Sequence, residues 1–237
     1  MKKLHLTTLL ATASLAFACN SFAGDYYVSA QAGASIAQGK LKSANISDDK
    51  TANKTLKSSA VYDLTFGRNI SPDFAAELEL AYTKHNFKAA NTDIFGYSLS
   101  RKAHINSLSS FVNATYKLSS LNLPVVPYVT AGVGVASNKT SKINYVGKDG
   151  LGDNASYTAA AKRANNFAWQ VGVGVLVPVQ ENLSINLSCK YRDLGKVSSV
   201  NNVTDNSDKE ALRLVNNKAL KGRLSSLSLL AGISYSF

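Results

Sequence analysis

Charge, cysteine, histidine and long apolar runs are all scarce in this 237-residue chain, and each shortage closes off a class of protein. Charged residues make up 17%, below the usual quarter, which excludes a disordered acidic or basic tail. Two cysteines, Cys19 and Cys189, cannot build a disulfide framework, and Cys19 falls in a segment expected to be removed. Only His85 and His104 lie beyond that segment, too few to supply a metal with ligands. The same scarcity weakens any Ser-His-Asp hydrolase assignment, because the many serines make a matching Ser uninformative. Past the run from Leu4 to Ala18, no apolar stretch reaches membrane-helix length. The mean hydropathy of −0.06 argues against a helical membrane bundle but is silent on a β-barrel, where half the strand residues are polar.

What the chain does have is an excess of base, 26 Lys and Arg against 15 Asp and Glu, for a net charge of +11. That excess fits an anionic partner: nucleic acid, a lipid surface or acidic glycans. The N-terminus narrows the choice. Lys2 and Lys3 precede the apolar run, and Ser21-Phe22-Ala23 supplies small residues flanking a cleavage point. This is the layout of a signal peptide over residues 1–23, leaving residues 24–237 as the mature domain. Cys19 after Ala18 admits a lipoprotein alternative, but Ala16 and Phe17 fit a lipobox poorly. Loss of Lys2 and Lys3 lowers the charge from +11 to +9. A chain that leaves the cytoplasm is not expected to have a nucleic-acid partner.

The mature sequence alternates with period two. One set holds Tyr26, Val28, Ala30, Ala32, Ala34 and Ile36, the other Tyr27, Ser29, Gln31, Gly33 and Ser35. Phe167, Trp169, Val171, Val173, Val175 and Val177 against Ala168, Gln170, Gly172 and Gly174 is the cleanest case. Eight such runs occur, and sustained alternation is a strand signal with no helical reading. Connections alternate too: residues 38–57, 84–104, 137–164 and 193–222 are long and polar, whereas residues 69–73, 119–126 and 178–182 are short. The pattern predicts an all-β, up-and-down, eight-stranded antiparallel transmembrane β-barrel with four long extracellular loops. A soluble lipocalin-type barrel is the structural rival, with its apolar set aimed inward around a ligand. Against it, the polar set is rich in Gly, Ser, Thr, Ala and Asn, residues suited to a crowded interior. Aromatics also gather at the strand ends in two girdles. Phe66, Phe74, Tyr116, Tyr235 and Phe237 lie toward the turns, and Tyr62, Tyr82, Trp169 and Tyr191 toward the loops.

Several segments carry a family resemblance. The C-terminal Ala-Gly-Ile-Ser-Tyr-Ser-Phe looks like the terminal signal of outer-membrane proteins. In those proteins a final aromatic and alternating apolar residues, here Ile233, Tyr235 and Phe237, are recognised by the barrel-assembly machinery. Asn166 to Gly174 and Pro127 to Gly134 resemble the sixth and fifth strands of opacity-type surface proteins. Tyr191-Arg192-Asp193-Leu194-Gly195-Lys196 is similar to a segment of small rickettsial surface adhesins, which are eight-stranded barrels of the OmpA/OmpX type. The resemblance covers the strands of residues 24–237 and leaves the loops unmatched. It implies residence in the outer membrane of a Gram-negative bacterium, with lipid and lipopolysaccharide as neighbours. It also implies exposure at the cell surface, attachment to host cells and, in some members, capture of serum proteins.

Candidate chemistry is of two kinds. Asp63, Glu77, Glu79, Lys190 and Arg192 share the inward parity. Paired carboxylates two residues apart can serve acid–base catalysis. The structural reading is better, an ion-pair network filling a narrow lumen, because buried charges need partners. His85 and His104 stand near opposite feet of the second loop without a third metal ligand, and Cys189 reads as a small apolar residue against lipid. No catalytic residue, metal or cofactor is expected. The loops carry the rest. Lys139, Lys142, Lys148, Lys162 and Arg163 outnumber Asp149 and Asp153 in loop three, and Phe95, Tyr97 and Tyr145 add apolar anchors. In loop four, Ser207-Asp208-Lys209-Glu210 resembles a capping box, with Leu212, Val215 and Ala219 following at helical spacing. The loops read either as an adhesive surface for a host receptor, serum protein or acidic glycan, or as a solvated rim touching lipopolysaccharide. The corresponding functions are an adhesin, and a structural or narrow-channel barrel without a dedicated ligand; neither is an enzyme. One consequence concerns assembly. Deleting Phe237 should lower the surface level of the barrel and leave degraded or periplasmic protein, as measured by fractionation and immunoblotting.

Overall fold

The structure, a computed structural model, describes residues 25–38, 41–42, 59–87, 92–94, 97–121, 123–141, 143–148, 154–159, 162–198, 203–205 and 221–237. The expected signal segment, Phe95, Lys142 and the expected loop-four helix lie outside the described residues. The strands are β1 (Tyr26–Gln38), β2 (Leu41–Lys42), β3 (Ser59–Asn69), β4 (Phe74–Phe87), β5 (Thr92–Ile94), β6 (Tyr97–Lys117) and β7 (Val126–Thr140). They continue as β8 (Ile143–Lys148), β9 (Asn154–Ala159), β10 (Lys162–Gln180), β11 (Leu183–Ser198), β12 (Val203–Asp205) and β13 (Lys221–Ser236).

Eight of these strands form a closed barrel. Each of β1, β3, β4, β6, β7, β10, β11 and β13 pairs antiparallel with its sequence neighbours, and β13 returns to pair with β1. The seam runs from Tyr27 opposite Ser236 to Gln38 opposite Ser225, and the Phe237 amide donates to the Tyr26 carbonyl at 2.9 Å. Closure leaves no barrel edge, the condition for a sheet in hydrocarbon.

Burial is inverted relative to a soluble protein. Val112, Val135 and Leu229 are each 63% exposed, whereas Glu79 and Phe111 are fully buried. The apolar set therefore faces outward, which removes the lipocalin-type alternative. Aromatic pairs mark both ends of this surface. Tyr26 stacks on Phe66 and Tyr235 meets Phe237 at the turn end, with centroids 5.7 and 5.3 Å apart, and Trp169 leans on Tyr191 at 5.5 Å toward the loops.

The strands run further than alternation alone suggested. A membrane strand needs about 9–11 residues, yet β6 has 21 and β10 has 19. Much of residues 84–104, 137–164 and 193–222, expected as loop, is strand. Polar residues there obscure the alternation, while neighbouring strands supply the hydrogen bonds. At the turn end, β10 continues through Pro178 to Gln180, where a turn was expected. The register shifts between Pro178 and Gln180, a place where a residue without an amide hydrogen is tolerated. Connections there are short, and Ser71 Oγ accepts from the Phe74 amide at 3.1 Å between β3 and β4.

The outward set makes a direct prediction. Val133 stands mid-wall, so Val133→Arg should destabilise the inserted barrel by about 2–4 kcal/mol, read from urea titration of protein refolded in vesicles.

Candidate functional site in the lumen and the sheet above it

The lumen is filled from the turn end upward by three layers of side chains. Nearest the turns, the Tyr27 hydroxyl donates to Glu77, and Asn113 Nδ2 reaches the same carboxylate at 3.5 Å. Lys117 Nζ lies 5.0 Å from the Tyr27 ring centroid and donates to Asn69 Oδ1 at 2.6 Å. Tyr128 donates to Asn186 Oδ1 at 2.8 Å.

The middle layer is a quartet of charges. Asp63 on β3 and Glu79 on β4 face Lys190 and Arg192 on β11. Lys190 Nζ stands 3.2 Å from Asp63 Oδ2 and 2.9 Å from Glu79 Oε2. Arg192 Nη2 pairs with Asp63 and stands 2.7 Å from Glu79 Oε1. Uncharged groups extend the network: Arg192 Nε donates to Gln170 Oε1 at 2.8 Å, and Gln170 Nε2 to Asn113 Oδ1 at 2.7 Å. Asn113 Nδ2 then donates to Glu79 Oε2 at 3.2 Å. Two anions and two cations cancel, which is what burial of charge demands. Gly132 opposes Asn113 in register, and a Cβ there would sit 1.8 Å from Asn113 Oδ1, so only glycine leaves room for the amide.

Glu77 corrects the expected five-member network. A separation of two residues along a strand is about 6.8 Å, which carries Glu77 below the two cations and into the tyrosine layer. Lys117, Gln170, Asn113 and Tyr27 are members of the lumen hydrogen-bond network that sequence reasoning left unassigned. Their inward parity was the available signal.

The third layer is apolar and closes the loop end. Ala37, Ile105, Phe111, Ala136, Ala168, Leu194, Val197 and Leu224 form one buried cluster. A bulge in β11 brings Leu194 there, with the register shifting between Asp193 and Lys196. Gly195 adopts φ 77°, a conformation that favours glycine. Asp193 secures the bulge by accepting from the Gly195 amide at 2.9 Å and from Arg223 Nε at 2.7 Å. Asn138 Nδ2 donates to the Leu194 carbonyl at 2.8 Å. The segment from Tyr191 to Lys196 therefore carries the bulge that turns Leu194 into the barrel mouth. Asp193, at the start of the segment 193–222 expected as loop, is buried in this bulge.

His85 is fully buried on the inward face, and neither ring nitrogen has a hydrogen-bond partner among the described residues. His104 pairs in register with Asn86, one position along, and so has the opposite parity. The two histidines do not converge, and among the described residues no group of three His, Cys, Asp or Glu is placed to hold a metal. Cys189 is a free, half-buried thiol on the outward parity.

Above the barrel, three loops are joined by strand pairing. The loop-two end of β6 pairs with β5 and with β8, β8 pairs with β9 in loop three, and β9 pairs with β12 in loop four. The register sets Arg101 opposite Tyr145, Tyr145 opposite Tyr157 and Tyr157 opposite Asp205, one row across three loops. Tyr97 and Lys148 hold strand positions in the same sheet. Lys162 opens β10, whereas Lys139 and Arg163 are exposed on the barrel wall.

Residues 6–235 match the profile of the outer membrane protein beta-barrel domain. The chain belongs to this family. Outer membrane protein PagN of Salmonella typhimurium is 31% identical over 126 residues, 52% of this chain and 50% of that one. The chain thus spans about half the length of the curated relative it matches. The outer membrane protein OprG from Pseudomonas aeruginosa has the same fold, with a TM-score of 0.59 and 18% identity over 91% of this chain and 96% of that one. The protein resides in the outer membrane of a Gram-negative bacterium.

The quartet predicts a strong asymmetry between breaking and removing charge. Arg192→Glu should cost more than about 3–5 kcal/mol of refolded stability, because it leaves three carboxylates facing one lysine. Glu79→Gln combined with Lys190→Gln should cost less than the sum of the single changes. Both are read from urea midpoints.

Proposed function

We propose that the protein is an adhesin of the opacity type, akin to the small rickettsial surface adhesins, and that it binds acidic host-cell or serum macromolecules through its extracellular loops. The observation that carries this reading is the lateral pairing of loops two, three and four into one sheet. Ordering long loops costs conformational entropy at the moment of binding. A sheet that holds them beforehand lowers that cost, a property with no evident use for a merely solvated rim. The pairing sets basic and aromatic positions in one sheet: Arg101 is opposite Tyr145, Tyr145 is opposite Tyr157, and Lys148 lies three positions along β8 from Tyr145. Aromatic and Arg positions are those that dominate interfaces.

The lumen supports the same division of labour. The quartet and the apolar cluster around Leu194 fill the bore, which argues against a narrow-channel role. Each buried carboxylate of the quartet is held by cations, an arrangement of structural support.

The test leaves Lys139 and Arg163 in place, since they lie on the wall. Lys142, Lys148 and Lys162 are replaced by Ser, and attachment of coated beads to host cells is counted across salt concentrations. Wild-type attachment should weaken past ~0.15 M salt, where screening shortens to about 8 Å. The variant should attach several-fold less at low salt, and Tyr97→Ala with Tyr145→Ala should remove the salt-resistant remainder. Heat-modifiable gel mobility checks the barrel. If both variants and a barrel with all four loops trimmed attach as wild type does, the protein is a structural barrel.

A further inference from the structure

Among the described residues, His85 is the one buried titratable side chain that no hydrogen bond or ion pair holds. It stands opposite Ile105 in register, and Ile105 stands opposite Thr140 on its other side. Ile105 belongs to the apolar cluster that closes the loop end of the bore. The Thr140 hydroxyl is buried without a partner as well. Buried polar groups left unpaired cost the closed state free energy that an opening to water returns. On β4, His85 lies three residues beyond Tyr82, the girdle aromatic toward the loops, so this layer sits above the membrane-spanning segment.

Nothing charged stands ready to balance a proton on His85. On its own strand the nearest inward carboxylate is Glu79, six residues or about 20 Å below, and Lys190 and Arg192 already hold it. Lys84, next to it, is on the outward face. On β3 the inward positions toward the loops from Asp63 are Val61 and Ser59, and Asp63 belongs to the quartet. On β6 they are Ile105, Ser107 and Ser109, while His104 has the outward parity and Lys117 lies at the turn end. At the mouth, Asp193 on β11 is paired with Arg223 on β13, and Lys196 is exposed.

Burial alone pushes the His85 imidazole down from its ordinary 6.5 to about 4. The closed mouth therefore binds a proton more weakly than an opened, hydrated one. Closure is at full strength above about pH 6.5 and weakens as pH falls below it, by up to about tenfold per unit for one proton.

We propose that His85 is an acid-sensitive latch of the barrel mouth: its neutral ring completes the apolar layer, and a proton on it opens that layer to water while the layers beneath stay closed. The quartet has its charges cancelled and does not share the response. Because β6 continues from Ile105 into the strand that pairs with β5 and β8, the latch also sets how firmly the loop sheet stands on the barrel. It holds whether or not that sheet is adhesive.

The full barrel is refolded into phosphatidylcholine nanodiscs, and amide hydrogen exchange is followed by mass spectrometry from about pH 7.5 to about pH 5, with rates corrected for the pH dependence of a free amide. Protection over residues 83–87, 105–111 and 194–197 should stay constant down to about pH 6.5 and then fall by up to about tenfold per unit. Residues 75–79 and 186–190, lower in the bore, should keep theirs. H85L and H85Q carry no titratable ring and should hold protection constant throughout; one is apolar and one polar, so poor folding of either by gel mobility leaves the other. H104Q should respond as wild type does. Constant protection in the wild type overturns the proposal, as does an acid response that persists in H85L and H85Q or disappears in H104Q. Loss of protection spread evenly over every layer overturns it too, since that is global unfolding rather than a latch.

Discussion

In hydrocarbon every backbone amide and carbonyl must find a partner within the protein, and everything else in this molecule follows from how that is met. The solution is closure, with β13 laid antiparallel on β1 from Tyr27 opposite Ser236 to Gln38 opposite Ser225. A sheet closed on itself has one face toward lipid and one toward a narrow bore. Period-two alternation then assigns each residue to one of the two, so Val133 meets lipid and Gly132 meets Asn113.

The bore has its own demands. Eight strands leave an interior that side chains must fill, and the pleat brings polar groups into it from every side. Two carboxylates from β3 and β4 meet two cations from β11 across the lumen, with Gln170 and Asn113 taking up further hydrogen bonds. Tyr27 and Glu77 finish the turn end, and the β11 bulge drops Leu194 into the loop end. The barrel is held from inside by charge pairing and from outside by lipid, the reverse of a soluble protein.

Strands longer than the membrane give the barrel a second life above it. Once β6 passes the headgroups, it pairs with strands β5 and β8 of the loops, and β9 and β12 extend that sheet. The same overshoot leaves Lys139 and Arg163 on the wall while Lys148 stands in the upper sheet, so that basic residues of loop three divide between a lateral and an upper surface. Loop charge read as a single quantity conceals that division.

Strand number, the inward and outward sets, the girdles and the membership of Asp63, Glu79, Lys190 and Arg192 in the lumen were legible in the sequence. Each depends only on parity along one strand, and parity is local. The height of a residue within the bore is not local. It depends on register between strands, which is why Glu77 left the quartet for Tyr27, and why His85 and His104, near neighbours at the feet of one loop, lie on opposite faces. Bulges reset parity, so the burial of Asp193 and Leu194 was invisible until β11 was seen to break at Gly195. Pairing between loops was equally out of reach, since nothing in residues 97–102 names 143–148 as a partner. The sequence by itself determined which face each strand shows to lipid. The tertiary structure decided which side chains meet across the lumen, the loops and the wall, because those meetings are set by hydrogen-bond register between segments far apart in the chain.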